Sequence, residues 1–151
     1  MTLETSDTTL TGTAARLRMA IVRTSRRLRQ EAAGAAGQLT PTAAAALATV
    51  ERHGPLTPSE LAEIERVKRP TATRTLGVLG EAGLVERAPD PEDGRSALVS
   101  ITAEGRERLR RLRGRKNAYL ARRMRDLPDD DVAALARAAE ILERMLDGER
   151  R

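Results

Sequence analysis

The 151-residue chain has no cysteine, no tryptophan and no phenylalanine, and Tyr119 is its single tyrosine. The absence of cysteine excludes disulfides, thiolate redox sensing and Cys-ligated metal sites. With so few aromatics, the core must come from Leu, Val, Ile, Met and Ala, a composition that favours packed helices over sheets. Histidine is nearly missing too. His53 stands alone just before Gly54, where a charged imidazole suits a helix C-terminus. It has no evident Ser or Asp arrangement around it, and there is no Gly-rich phosphate loop, so neither an enzyme nor a cofactor or metal site is expected. No apolar run approaches the ~20 residues of a membrane span. The start, MTLETSDTTLTGT, lacks the basic and apolar regions of a signal peptide. A cytoplasmic protein without a membrane partner is expected.

Lysine is scarce as well. Lys68 and Lys116 are the only two, so arginine carries nearly all the positive charge behind a formal net charge of +5. A basic excess suits an anionic partner, nucleic acid first and membrane surface second. Arginine-rich solvated surfaces give the same balance, so charge alone does not separate these readings.

Along the chain, residues 1–12 are polar and Thr-rich, and are expected to be a flexible tail. Leu17, Ile21, Leu28 and Ala32 recur at roughly helical spacing from about Thr13, and GAAGQ at 34–38 interrupts the pattern. LTPTAAAALATVERHG reads as a second helix, with Thr40 as N-cap, Pro41 in the first turn and Gly54 as the stop. In LTPSELAEIERV, Thr57 and Glu60 form a capping box that starts a short helix at about 58–65. A turn over Arg66–Lys68 leads to a further helix between Pro70 and Gly83. LVERAPDPEDGRSALVSIT then reads strand, loop, strand, with Asp93-Gly94 as a turn signal. Thr102 caps a long helix whose weak point is Gly114 and which Pro128 breaks. In that helix Glu104–Arg108 and Glu107–Arg111 are i,i+4 pairs, the mark of a solvated face. Asp129, Asp130 and Asp131 occupy the first turn of the last helix, where the helix dipole favours them. Val132, Leu135, Ala139, Leu142 and Leu146 form its apolar stripe.

Residues 57–83 are therefore two helices joined by a tight turn, a helix-turn-helix. In its second helix Ala72, Thr75, Leu76 and Leu79 fall on one face and are expected to pack inward. Pro70, Arg74, Gly77 and Glu81 then point outward, flanked by Thr71, Thr73 and Val78, with Lys68 and Arg69 just before them. A recognition helix enters the major groove by its N-terminal residues, where Thr can bond bases or phosphates and Arg can grip guanine. A β-ribbon after such a pair makes a winged helix. Arg95 at its tip is the residue type that narrow, electronegative minor grooves attract, and Asp93 is placed to orient its guanidinium.

The markers LTPSELA, RPTATR, GLVER, DPEDGR and LVSITAEG, in this order over residues 56–105, closely resemble the winged-helix core of the MarR family of bacterial transcriptional regulators. The flanking helices match in layout. The resemblance implies a mainly α fold with a small β-hairpin wing: a winged helix-turn-helix at 39–105, flanked by an N-terminal dimerisation helix (13–38) and C-terminal dimerisation helices (106–151). It implies a homodimeric repressor on a pseudo-palindromic site in double-stranded DNA, released by a small lipophilic or phenolic effector whose pocket the sequence does not locate. By the matching motifs, Thr71, Thr73 and Arg74 would face the major groove and Arg95, braced by Asp93, the minor groove. Ser59, Lys68, Arg69 and Pro70 complete the expected DNA-binding set. Two departures stand out. Gly77 and Val78 occupy positions where the family commonly has an acidic and a basic residue, and Gly94 replaces the middle arginine of a wing that often reads Asp-Arg-Arg. A winged helix turned protein-interaction module is the alternative these losses suggest.

Overall fold

The structure, a computed structural model, describes residues 3–35 and 39–147. Its elements are α1 (Leu3–Ala32), a short 3₁₀ turn (Ala33–Ala35), α2 (Pro41–His53), α3 (Pro58–Glu65), α4 (Arg69–Glu81), β1 (Val85–Pro89), β2 (Ala97–Ile101), α5 (Ala103–Met124) and α6 (Asp129–Asp147). The chain divides into two compact units, with the division after Lys116, inside α5.

Local chemistry accounts for most of these boundaries. Thr40 caps α2 by accepting from the Ala43 amide at 3.1 Å, and Pro41 fills the first turn, where its missing N–H costs nothing. At α3 both halves of the capping box form: the Glu60 amide donates to Thr57 Oγ1 at 3.2 Å, and the Thr57 amide donates to Glu60 Oε2 at 2.7 Å. Gly83, at φ +71°, terminates α4 in the left-handed conformation that glycine adopts without a Cβ penalty. The Leu84 amide then returns to the Leu79 carbonyl at 2.9 Å.

One expectation is corrected. Residues 3–12 are helical, so α1 begins at Leu3 and not near Thr13. Polar composition hides a helix from a periodicity reading but does not prevent one. The stretch has no proline, and each residue added to an existing helix gains a hydrogen bond without a new nucleation cost. Residues 1–2 of the expected tail and 36–38 of the expected interruption lie outside the described residues.

The core of the first unit is aliphatic. Leu47, Val50, Leu56, Leu61, Leu76, Leu79, Leu84 and Val99 are each less than 2% exposed. They come from α2, the α2–α3 connection, α3, α4, the α4–β1 turn and β2, so helix pair and hairpin share one interior. Leu109 and Leu112 of α5 join the same cluster. β1 and β2 pair antiparallel with Val85 opposite Ile101 and Pro89 opposite Ala97. Leu56 adds a bridge to the outer side of β2, with Leu56 and Val99 exchanging amide-to-carbonyl bonds of 3.1 and 2.8 Å. Thr102 fastens the hairpin base: its hydroxyl donates to the Gly83 carbonyl at 2.7 Å and accepts from the Gly105 amide at 3.1 Å.

The second unit contains α6, which buries none of its residues. Leu135 and Leu146 of its apolar stripe are 47% and 63% exposed. In the first unit, α1 likewise leaves Leu17, Ile21 and Val22 exposed.

Candidate nucleic-acid interface

The reach of α4 toward solvent follows from what it buries. Ala72, Leu76 and Leu79 are each no more than 1% exposed and fix the inward direction. Thr75 is half-buried, its hydroxyl donating to the Thr71 carbonyl at 2.9 Å. The inward set is thus the one the sequence indicates. Arg69, Pro70, Thr71, Thr73 and Arg74 are all exposed. At ~100° per residue, Thr71 and Thr73 lie on opposite flanks of Arg74, so the three side chains span the width of the helix's outer surface and do not share one line. Lys68 is the N-cap residue and makes no side-chain cap bond, which leaves the positive end of the helix dipole uncovered. Ser59 sits half-buried in the first turn of α3.

The turn between the two helices carries a feature the sequence does not announce. Arg66 adopts the left-handed conformation at φ 52°, unusual for a residue with a side chain. Its position lets the Val67 amide return to the Ala62 carbonyl at 3.0 Å, which closes α3 and turns the chain into α4 within three residues.

The wing tip is built from side chain-to-backbone bonds. The Glu92 amide donates to Asp90 Oδ1 at 2.9 Å, and the Arg95 amide donates to Asp93 Oδ1 at 3.1 Å. The Ser96 amide donates to the Asp93 carbonyl, and the Asp90 amide to the Ser96 carbonyl, both at 3.0 Å. The first two, accepted by aspartate side chains, are Asx-type turns; the last two are backbone bonds that close the loop. The expected brace is therefore corrected: Asp93 holds the backbone of Arg95, not its guanidinium. Asp93 Oδ1 accepts an amide two residues on, and the arginine side chain is exposed and enters no ion pair among the described residues.

Charge is sorted over the first unit. On α5, Glu104 and Glu107 engage Arg108, Arg110 and Arg111, including both i,i+4 pairs the sequence suggests, at 3.8 Å each. Arg113 reaches Glu51 of α2 at 2.6 Å. Among the described residues, by contrast, Lys68, Arg69, Arg74 and Arg95 enter no ion pair. No hydrogen bond or ion pair links the wing tip to α4 either, so the two cationic points are independent features of one unit.

A second feature lies between α1, α2 and α5: a cleft of about 460 Å³. Leu28, Leu109 and Leu112 line it, and Arg29, Arg113 and Lys116 are the cations at its surface. Nothing in the sequence locates it, because its walls come from three segments brought together only by folding.

Two helices meeting at a tight turn, the second exposing an unpaired basic N-terminal half, and a β-ribbon with an exposed arginine at its tip define a winged helix-turn-helix DNA-binding protein. Comparison narrows the class. The MarR family model matches residues 38–96. The HTH-type transcriptional regulator MT0903.1 of Mycobacterium tuberculosis is 35% identical over 131 residues, covering 87% of this chain and 90% of its own length. The HTH-type transcriptional repressor MdtR of Bacillus subtilis is 30% identical over 109 residues, 68% of this chain and 70% of that protein. Apo MarR from E. coli superimposes with a TM-score of 0.70 at 25% identity, over 85% of this chain and 95% of that one. The chain belongs to the MarR family: it is a winged helix-turn-helix, DNA-binding regulator of transcription. Its relatives are regulators and not enzymes, in line with the sequence reading.

Proposed function

We propose that this protein is a homodimeric repressor that holds a pseudo-palindromic DNA site and releases it when a small lipophilic effector binds. The observation that carries the reading is the sorting of charge. Ion pairs neutralise the arginines of mid-α5, whereas those of α4 and the wing stand unpaired on the elements a winged helix lays against DNA. Thr71 and Arg74 enter the major groove, with Lys68, Arg69, Pro70 and Thr73 beside them. Ser59 contacts the backbone from α3, and Arg95 enters the adjacent minor groove from a tip that Asp93 shapes.

Dimerisation is supported by α6, which carries an apolar stripe and buries none of it, and by the exposed apolar residues of α1. Each is apolar surface that a second copy of the chain would bury. Repression is supported by the likeness to MdtR. The cleft between α1, α2 and α5 is of a size for a small molecule, and its leucines and cations suit a lipophilic anion. Filling it would press on the Glu51–Arg113 pair that joins α5 to α2. No helix among the described residues is long and apolar enough to cross a membrane, and the proposed site of action is the cytoplasm.

Titration of genomic DNA fragments at two salt concentrations tests the reading. Phosphate neutralisation releases counterions, so affinity should fall steeply with salt, by a log–log slope of about −0.9 per phosphate contact. Absence of both a salt slope and a sequence preference would refute it.

A further inference from the structure

α4 carries one large apolar side chain that its own fold does not use. Val78 is 50% exposed. It follows Arg74 by four residues, so it lies ~40° from Arg74 around the helix axis and ~6 Å further along it. The surface around it is bare. A Cβ built at Gly77 or Gly80 would meet nothing within 4 Å beyond the adjoining helix backbone, so internal packing requires neither glycine, although each weakens a helix relative to alanine. From Thr75 to Gly80 there is no charged residue, and the Thr75 hydroxyl is committed to the Thr71 carbonyl. This part of the recognition helix offers a DNA groove two valine methyls and exposed backbone, with no cation to reach a phosphate and no free side-chain donor.

The apolar feature of the major groove is the 5-methyl group of thymine. We propose that Val78 is a specificity-determining residue that packs on a thymine methyl, within about two base pairs of the base Arg74 contacts. Gly77 lets the helix backbone sit close enough for that contact. The inference rests on the recognition-helix reading of α4.

The test uses an operator selected from random DNA, in which each thymine in turn is replaced by deoxyuridine, which removes the methyl and nothing else. For the wild-type protein, one thymine per half-site should respond, with a loss of about fourfold, the worth of one buried methyl-sized group. Val78→Ala should bind the thymine and uracil versions of that position equally while keeping its response elsewhere. Val78 is exposed, so the variant should keep the wild-type melting temperature, and a melt verifies this. A Val78→Ala protein that retains the wild-type response to uracil would overturn the proposal. So would a wild-type protein that prefers its operator yet responds to uracil at no position. Wild-type protein that binds all duplexes alike is a different result, and would sink the regulator reading itself.

Discussion

Replacing Arg95 with alanine separates folding from DNA binding at one residue. The fold should not register the change. The side chain is exposed and enters no ion pair among the described residues. The bond that shapes the wing tip comes from the Arg95 backbone amide, which alanine keeps. Stability should stay within about 0.5 kcal/mol of wild type, as for surface substitutions in general. Binding should register it strongly. A guanidinium on base edges is worth roughly 1–3 kcal/mol, and the proposed dimer presents two wings too far apart to couple. The combined loss is at least about 2 kcal/mol, or roughly 30-fold in Kd. If each arginine also neutralises a phosphate, the salt slope becomes shallower by about 1.8. Fluorescence anisotropy on an operator duplex at several salt concentrations reads both quantities, with a thermal melt as the folding control. Arg95→Lys should retain most of the slope and lose part of the affinity, because lysine keeps the charge without the planar fork. An unchanged Kd and slope for Arg95→Ala would refute the assignment of the wing.

Other changes probe other parts of the molecule. Removing residues 132–151 should abolish dimerisation, since α6 has no buried residue of its own to lose; a truncated dimer of normal affinity in ultracentrifugation would overturn the assignment. Gly105→Ala should destabilise the first unit by about 1–3 kcal/mol or more. Its Cβ would overlap the Leu84 carbonyl oxygen and come within 2.7 Å of Ile101 Cγ1, and a wild-type melting temperature would show that the hairpin base is looser than described. Gly77→Ala should do the opposite. It fills open space in a helix and gains up to about 1 kcal/mol in stability, while weakening operator binding by holding α4 off the groove. A Gly77→Ala protein that binds as well as wild type would remove the need for close approach.

Local features of this fold were legible because they rest on residues a few positions apart. The Thr40 cap, the Thr57–Glu60 box, the Gly83 terminator and the inward set of α4 each depend on chemistry within one helix. The same holds for the exposure of Arg69, Thr71 and Arg74, which follows from where Ala72, Leu76 and Leu79 must go. What was not legible depends on the assembled chain. Nothing near Leu56 indicates that it pairs with Val99, over forty residues away. Nothing near Arg113 indicates Glu51, or near Thr49 indicates Glu65, whose carboxylate accepts the Thr49 hydroxyl. The cleft between α1, α2 and α5 is hidden for the same reason. Asp93 is the instructive case: its proximity to Arg95 suggested an ion pair, but an aspartate two residues before an amide is better placed for an Asx turn. The polar start of α1 misled differently, since helical periodicity is visible only where apolar residues mark it.

Two copies of this winged helix should read one symmetric DNA site. Selection of bound sequences from a random duplex pool tests it most directly. The expected product is an inverted repeat whose half-site centres lie one helical turn, about 34–36 Å, apart. Failure to enrich any sequence, or enrichment of a site without two-fold symmetry, would contradict it.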